Sequence, residues 1–101
     1  MFKMMTVEMP DGTKWGVPVS IIAQNRAEYY ASHYGGDVKR SLAEDTLPLF
    51  EASTSEIEDW AINNMNWSDF NGEQVRLSVS ATDYEDGWAN GAKGFTNAVP
   101  L

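Results

Sequence analysis

Fifteen acids, one histidine and no cysteine set what chemistry this chain can attempt. A zinc site draws on nitrogen, sulfur or carboxylate ligands, so one built on His33 would need carboxylates such as Glu28 or Asp37 to complete it. The expectation is instead a structural ring, half buried near the end of a first helix with one nitrogen hydrogen-bonded. Ser–His–Asp hydrolysis would also have to use His33, and no Gly-x-Ser-x-Gly elbow accompanies it. Gly35-Gly36 precedes a helical stretch but lacks the Lys-Ser/Thr of a phosphate-binding loop. Asp83-Tyr84-Glu85-Asp86-Gly87 partly matches a calcium loop, yet Thr82 and Lys93 stand at its first and last ligand positions, so an acidic turn is expected. No cofactor and no metal site are expected, and the chain reads as a non-enzyme. A small carboxylate-dependent hydrolase stays open as an alternative, because acids distant in sequence can converge across a fold.

The distribution of charge is more informative than any motif. No Lys or Arg occurs between Arg40 and Arg76, whereas Glu44, Asp45, Glu51, Glu56, Glu58, Asp59, Asp69 and Glu73 all fall there. An outward face carrying Glu44, Asp45, Glu51, Glu56, Glu58, Asp59 and Asp69 is the candidate protein-binding surface; it would suit a basic host or phage protein, or imitate nucleic-acid phosphates in a basic cleft. The competing account is a solvated helix face, with the acids near residue 56 also favouring a helix dipole. A second candidate is an aromatic edge, because Trp15, Trp67 and Trp88 sit near turns or strand ends, where such rings plug a core or anchor an interface. Arg26 stands apart from the other six bases. Its angle on the first helix places it beside Ile22 and Tyr30, where the stem can pack and the head can pair with an acid.

These side chains need elements to hold them. Phe2 to Met9 reads as a strand, Pro10-Asp11-Gly12-Thr13 as a hairpin turn, and Lys14 to Val17 as the return strand that Pro18 ends. Helix one runs from Pro18 to about Tyr34, with Val19, Ile22, Ala23, Tyr30 and Tyr34 on its core face and Gln24, Glu28 and Ala31 opposite. Gly35-Gly36 stops it. Asp37 caps a second helix from Val38, which carries Leu42 and Leu47 inward until Pro48 kinks or ends it. A third helix lies between Ser53 and Phe70, opened by a capping box at Ser53/Glu56 or Ser55/Glu58, with Ile57, Trp60, Ala61 and Met65 inward. Asn71-Gly72 turns into a strand over Val75 to Ala81, and a last strand is expected between Tyr84 and Phe95 with the final residues loose.

Strands at both ends and helices between predict one α+β domain over residues 1–101, an antiparallel sheet of three to four strands (the N-terminal hairpin plus C-terminal strands) covered by about three helices. A net charge of −8 disfavours direct binding of nucleic acid or anionic membranes. The opening residues lack the apolar stretch of a signal peptide, and no run approaches the roughly 18 apolar residues of a membrane span. A cysteine-free chain of this kind is expected to be soluble in the cytoplasm.

Several phrases resemble small, uncharacterised proteins encoded by tailed bacteriophages: Met9-Pro10-Asp11-Gly12, Val17-Pro18-Val19 with Ile22-Ala23, and Arg26-Ala27 to Tyr30-Ala31. Gly35-Gly36-Asp37, Glu44-Asp45-Thr46-Leu47-Pro48-Leu49-Phe50, Asp59-Trp60-Ala61-Ile62-Asn63-Asn64-Met65-Asn66-Trp67 and Gly87-Trp88-Ala89-Asn90-Gly91 are similar to the same proteins. Those proteins run on as a charged, valine-containing final strand where this chain has Ala92-Lys93-Gly94-Phe95. The resemblance carries no functional residue. It implies a phage origin, work in the host cytoplasm, and an accessory role such as inhibiting a host factor or assisting assembly as a structural component, the latter with a homo-oligomer as one form.

Overall fold

The computed structural model describes residues 3–10, 14–76 and 93–96. Alternating apolar residues in β1 (Met4–Glu8) and β2 (Lys14–Pro18) pair antiparallel, with Met5 opposite Val17 and Val7 opposite Trp15. Two C-terminal strands flank this hairpin. β4 (Lys93–Thr96) runs antiparallel to β1, placing Phe95 opposite Met5, and the two-residue β3 (Val75–Arg76) lies antiparallel to β2. The order is therefore β3-β2-β1-β4: three strands of four or five residues and a short edge segment, with the N-terminal hairpin at the centre. The predicted α+β class holds.

Pro18 closes β2 and begins the first helix without a break, because its φ of −64° with ψ of 125° suits both a strand end and an N-cap. Val19, the first residue of α1 (Val19–Tyr30), donates its N–H to the Lys3 carbonyl beside β1, so one orphan donor of the helix is satisfied by the sheet (2.9 Å). Residues 31–34 then tighten into a 3₁₀ turn, and Gly35 and Gly36, at φ of +64° and +84°, reverse the chain. The buried side of the helix follows Ala23, Ala27 and Ala31, each four residues on from the last. Ala31, expected on the solvent side, is buried, and His33, expected half buried, is exposed, with the tilted Tyr30 ring 5.7 Å away.

The Asp37 side chain accepts from the Arg40 N–H (3.2 Å) and opens α2 (Val38–Ser41). A wide π turn over Leu42–Thr46 leads directly into α3 (Leu47–Ala52), so the helical path passes through Pro48 and ends at Ser53. In the π turn the Leu47 N–H bonds Leu42, five residues back. The extra residue spaces the ladder where Pro48 has no N–H to offer and its ring would crowd the Glu44 carbonyl. It also rotates the helix, so Ser41, Thr46 and Phe50 are fully buried while Leu42 and Leu47 remain half buried.

Ser53 begins α4 (Thr54–Asn64), but its hydroxyl lies 2.7 Å from that of Ser55 and makes no cap bond, so neither expected capping box forms at this helix. A capping box forms instead at Asn66 and Asp69, around the 3₁₀ turn Trp67–Phe70. Ile57, Ala61 and Met65 of the α4 stripe, with Phe50 and Phe70, join Met5, Val7 and Val17 of the sheet and Val19, Ile22 and Ala23 of α1 in one core. The strand expected to reach Ala81, the strand expected to start near Tyr84, the acidic turn at 83–87 and Trp88 lie outside the described residues, apart from Val75–Arg76 and Lys93–Thr96.

Candidate functional site

The site is built on Arg26. An arginine in the middle of a packed helix must find acceptors for its guanidinium, and α1 carries none at the right spacing. The π turn supplies both: Arg26 Nη1 donates to Thr46 Oγ1 at 2.9 Å and pairs with Asp45 Oδ1 at 3.3 Å. Its side chain is 13% exposed and that of Asp45 30%. The guanidinium carbon also lies 4.7 Å from the Tyr30 ring centre and 5.8 Å from that of Trp60, so the cation ties α1, the π turn and α4 together.

Trp60 is fixed from the other side by its indole N–H, which donates to Asn25 Oδ1 at 2.9 Å. Tyr30 is tilted against it at 5.6 Å, and Tyr29 meets it edge-on at 5.3 Å. Tyr29 remains 67% exposed. Beside this aromatic group lies an open groove of about 220 Å³, lined by Arg26, Tyr30, Leu49, Glu56, Asp59, Trp60, Asn63 and Asn64. Residues 56, 59, 60 and 63 follow at spacings of one helical turn, so one stripe of α4 forms the acidic wall. Because Arg26 is already paired within the fold, the groove presents the charges of Glu56 and Asp59 to its surroundings. A wall made of the half-buried Glu56 and the exposed Asp59, Asn63 and Asn64 beside aromatic rings suits hydrogen-bonded recognition of a cation.

The acids expected on one face are divided. Glu44 accepts from Arg40 Nε at 2.7 Å, which raises the guanidinium of Arg40 above its ordinary value through the hydrogen bond first and the charge second. Asp45 is held by Arg26, and Asp69 accepts the Asn66 N–H at 2.7 Å. Glu51 is exposed at the end of α3. Glu58 acts on Lys93 of β4, whose ammonium burial holds below the usual lysine value while the Glu58 charge opposes part of that shift. Only Glu56 and Asp59 share the groove. Arg26 and Arg40, outside the acidic stretch in sequence, thus pair with two of these seven acids.

Trp15 and Trp67 form a T-shaped pair, with ring centres 5.6 Å apart, half buried against the core. A second cavity, of about 270 Å³, lies between α1 and the residues around the last 3₁₀ turn, lined by Ser20, Ile21, Gln24, Asn25, Glu28, Met65, Asp69 and Asn71. Among the described residues no three His, Asp or Glu side chains gather as a metal site. Sequence reasoning did not find Tyr29, Asn25, Asn63 and Asn64. The usable signal was the need of Trp60, assigned to a core face, for an acceptor for its N–H. No family model, curated protein or solved structure matches the chain.

Proposed function

We propose that this chain is a non-enzymatic accessory protein that binds a basic protein through the acidic wall of α4. The observation that carries this reading is the groove in which Glu56 and Asp59, which come from a stretch (Ser41 to Val75) without Lys or Arg, stand beside Tyr30 and Trp60, its one lining cation, Arg26, being paired with Asp45. The resemblance of the chain's phrases to small tailed-phage proteins supports a phage origin and the cytoplasm of a bacterial host as the workplace, with inhibition of a host factor as the accessory role. A net charge of −8 favours fast encounter with a cationic surface and repels nucleic acid. No helix among the described residues is long and apolar enough to cross a membrane.

The test is capture from bacterial lysate on immobilised protein, washed in about 0.1 M and then about 1 M salt, across which the Debye length falls from about 10 Å to about 3 Å. The reading predicts basic proteins retained at low salt, released at high salt, and not retained by E56Q/D59N. Retention indifferent to both salt and variant contradicts it. A second reading, an assembly component built from copies of the chain, is favoured by the exposed Tyr29; light scattering of a closed oligomer that Tyr29→Ser dissociates would favour it over the first.

A further inference from the structure

We infer that the groove between α1, α3 and α4 is the seat for one arginine side chain of the partner protein. The inference rests on the proposed binding function and names the chemical group that enters. Four features of the groove select it. First, Glu56 and Asp59 stand one turn apart on α4, with Asn63 one turn beyond Asp59, so hydrogen-bond acceptors are spread along a line instead of converging on a point. A guanidinium, with five N–H donors in a rigid fork, can address acceptors arranged in that way, whereas an ammonium is a compact point charge.

Second, the walls are aromatic. Tyr30 and Trp60 line the groove together with Leu49 of α3, giving the methylene stem of an arginine apolar surface to lie against. A planar, weakly hydrated cation loses less on leaving water for such a site than an ammonium does.

Third, the single cation of the lining does not oppose a second one. Arg26 donates to Thr46 and is paired with Asp45, which lies outside the lining. With that pair neutral, the two carboxylates of the wall are left to attract. Fourth, Tyr29, 67% exposed, sits edge-on to the lining residue Trp60 at 5.3 Å and is open to the residues that flank the arginine in the partner chain. A loose small molecule would have no use for that ring. The groove's volume of about 220 Å³ admits a single side chain while leaving the flanking backbone outside.

Trp60 lines the groove, and its indole N–H, fixed on Asn25 outside the lining, reports occupancy through the ring. Nitrogen-15-labelled protein is titrated with a short Gly/Ser peptide carrying a central arginine, with the same peptide carrying lysine, and with the same peptide carrying citrulline, a neutral isostere. The arginine peptide is expected to shift the Trp60 indole resonance saturably, the lysine peptide to bind more weakly, and the citrulline peptide to leave the resonance in place. E56Q/D59N is expected to lower the affinity for the arginine peptide by about tenfold or more, the effect of losing a charge-assisted hydrogen bond. Asp59→Asn alone, at an exposed position, serves as the second variant should the double one unfold.

A citrulline peptide that shifts Trp60 as the arginine peptide does overturns the inference, as does an arginine peptide that binds both variants like the wild type. An oligoarginine peptide bound in a salt-sensitive way, with Trp60 unmoved and E56Q/D59N without effect, overturns the groove assignment and leaves the acidic-surface reading standing. Absence of salt-sensitive binding to every basic peptide overturns both.

Discussion

Arg26 is the residue on which the site and part of the fold converge. Its removal leaves Thr46 buried with one partner fewer and Asp45 partly buried without its cation. The cost should fall between that of an exposed ion pair, under about 1 kcal/mol, and that of a broken buried pair, about 3 to 5 kcal/mol. Arg26→Met is accordingly expected to lower the unfolding free energy by about 2 kcal/mol, read from urea denaturation, and Arg26→Lys to recover only part of it, because an ammonium cannot reach Thr46 and Asp45 while lying over Tyr30. A loss below about 0.5 kcal/mol, the range of ordinary surface changes, would contradict that account.

The Arg26 environment was legible in part. Its angle between Ile22 and Tyr30 allowed a packed stem and an acidic partner, and both are present. Which acid was not legible, since Asp45 reaches it through a π turn that no 3.6-residue projection contains. Ala31 shows a different difficulty, as it is buried with Ala23 and Ala27 at four-residue spacing, a row that drifts round the helix by about 40° per step and so leaves the face centred on Val19 and Tyr30. Lys93 offers a prediction in pH. Burial lowers its folded value below 10.5, so between that lowered value and 10.5 the unfolded chain binds more protons than the folded one, and stability rises with pH across the window. Denaturant midpoints should therefore show the wild type gaining on Lys93→Met as pH approaches 10.5, and a constant difference between the two would count against a buried ammonium.

At the scale of elements, capping and strand register make separate claims. The Asn66–Asp69 box holds the turn that delivers Phe70 to the core, so Asp69→Ala is expected to cost about 1 kcal/mol by thermal or urea unfolding. An unchanged midpoint would mean that the turn is held by Phe70 alone. The pairing of β4 with β1 sets Gly94 opposite Thr6, and a Cβ at Gly94 would lie 2.8 Å from Thr6 Oγ1. Gly94→Ala is expected to destabilise by about 1 to 2 kcal/mol, and the double change with Thr6→Ala to recover most of that loss. Additive losses would place β4 in a different register. The hairpin, α1 and α4 were readable because Pro18, Gly35-Gly36 and the Ile57/Ala61 stripe are local signals. The flanking of the hairpin by β3 and β4 was not, since strand order depends on pairings remote in sequence.

For the whole molecule, the charge of −8 and its concentration between residues 41 and 75 are properties of the sequence, but the surface they produce depends on the fold. Arg40 pairs with Glu44 and Arg26 with Asp45, while Glu56 and Asp59 line the groove beside the aromatic group. The most direct test follows the affinity for an oligoarginine peptide as salt is raised from about 0.1 M to about 1 M, with wild type and E56Q/D59N side by side. A steep decline for the wild type and a weaker, flatter curve for the variant are predicted. Coincident curves would contradict the assignment of binding to the α4 groove.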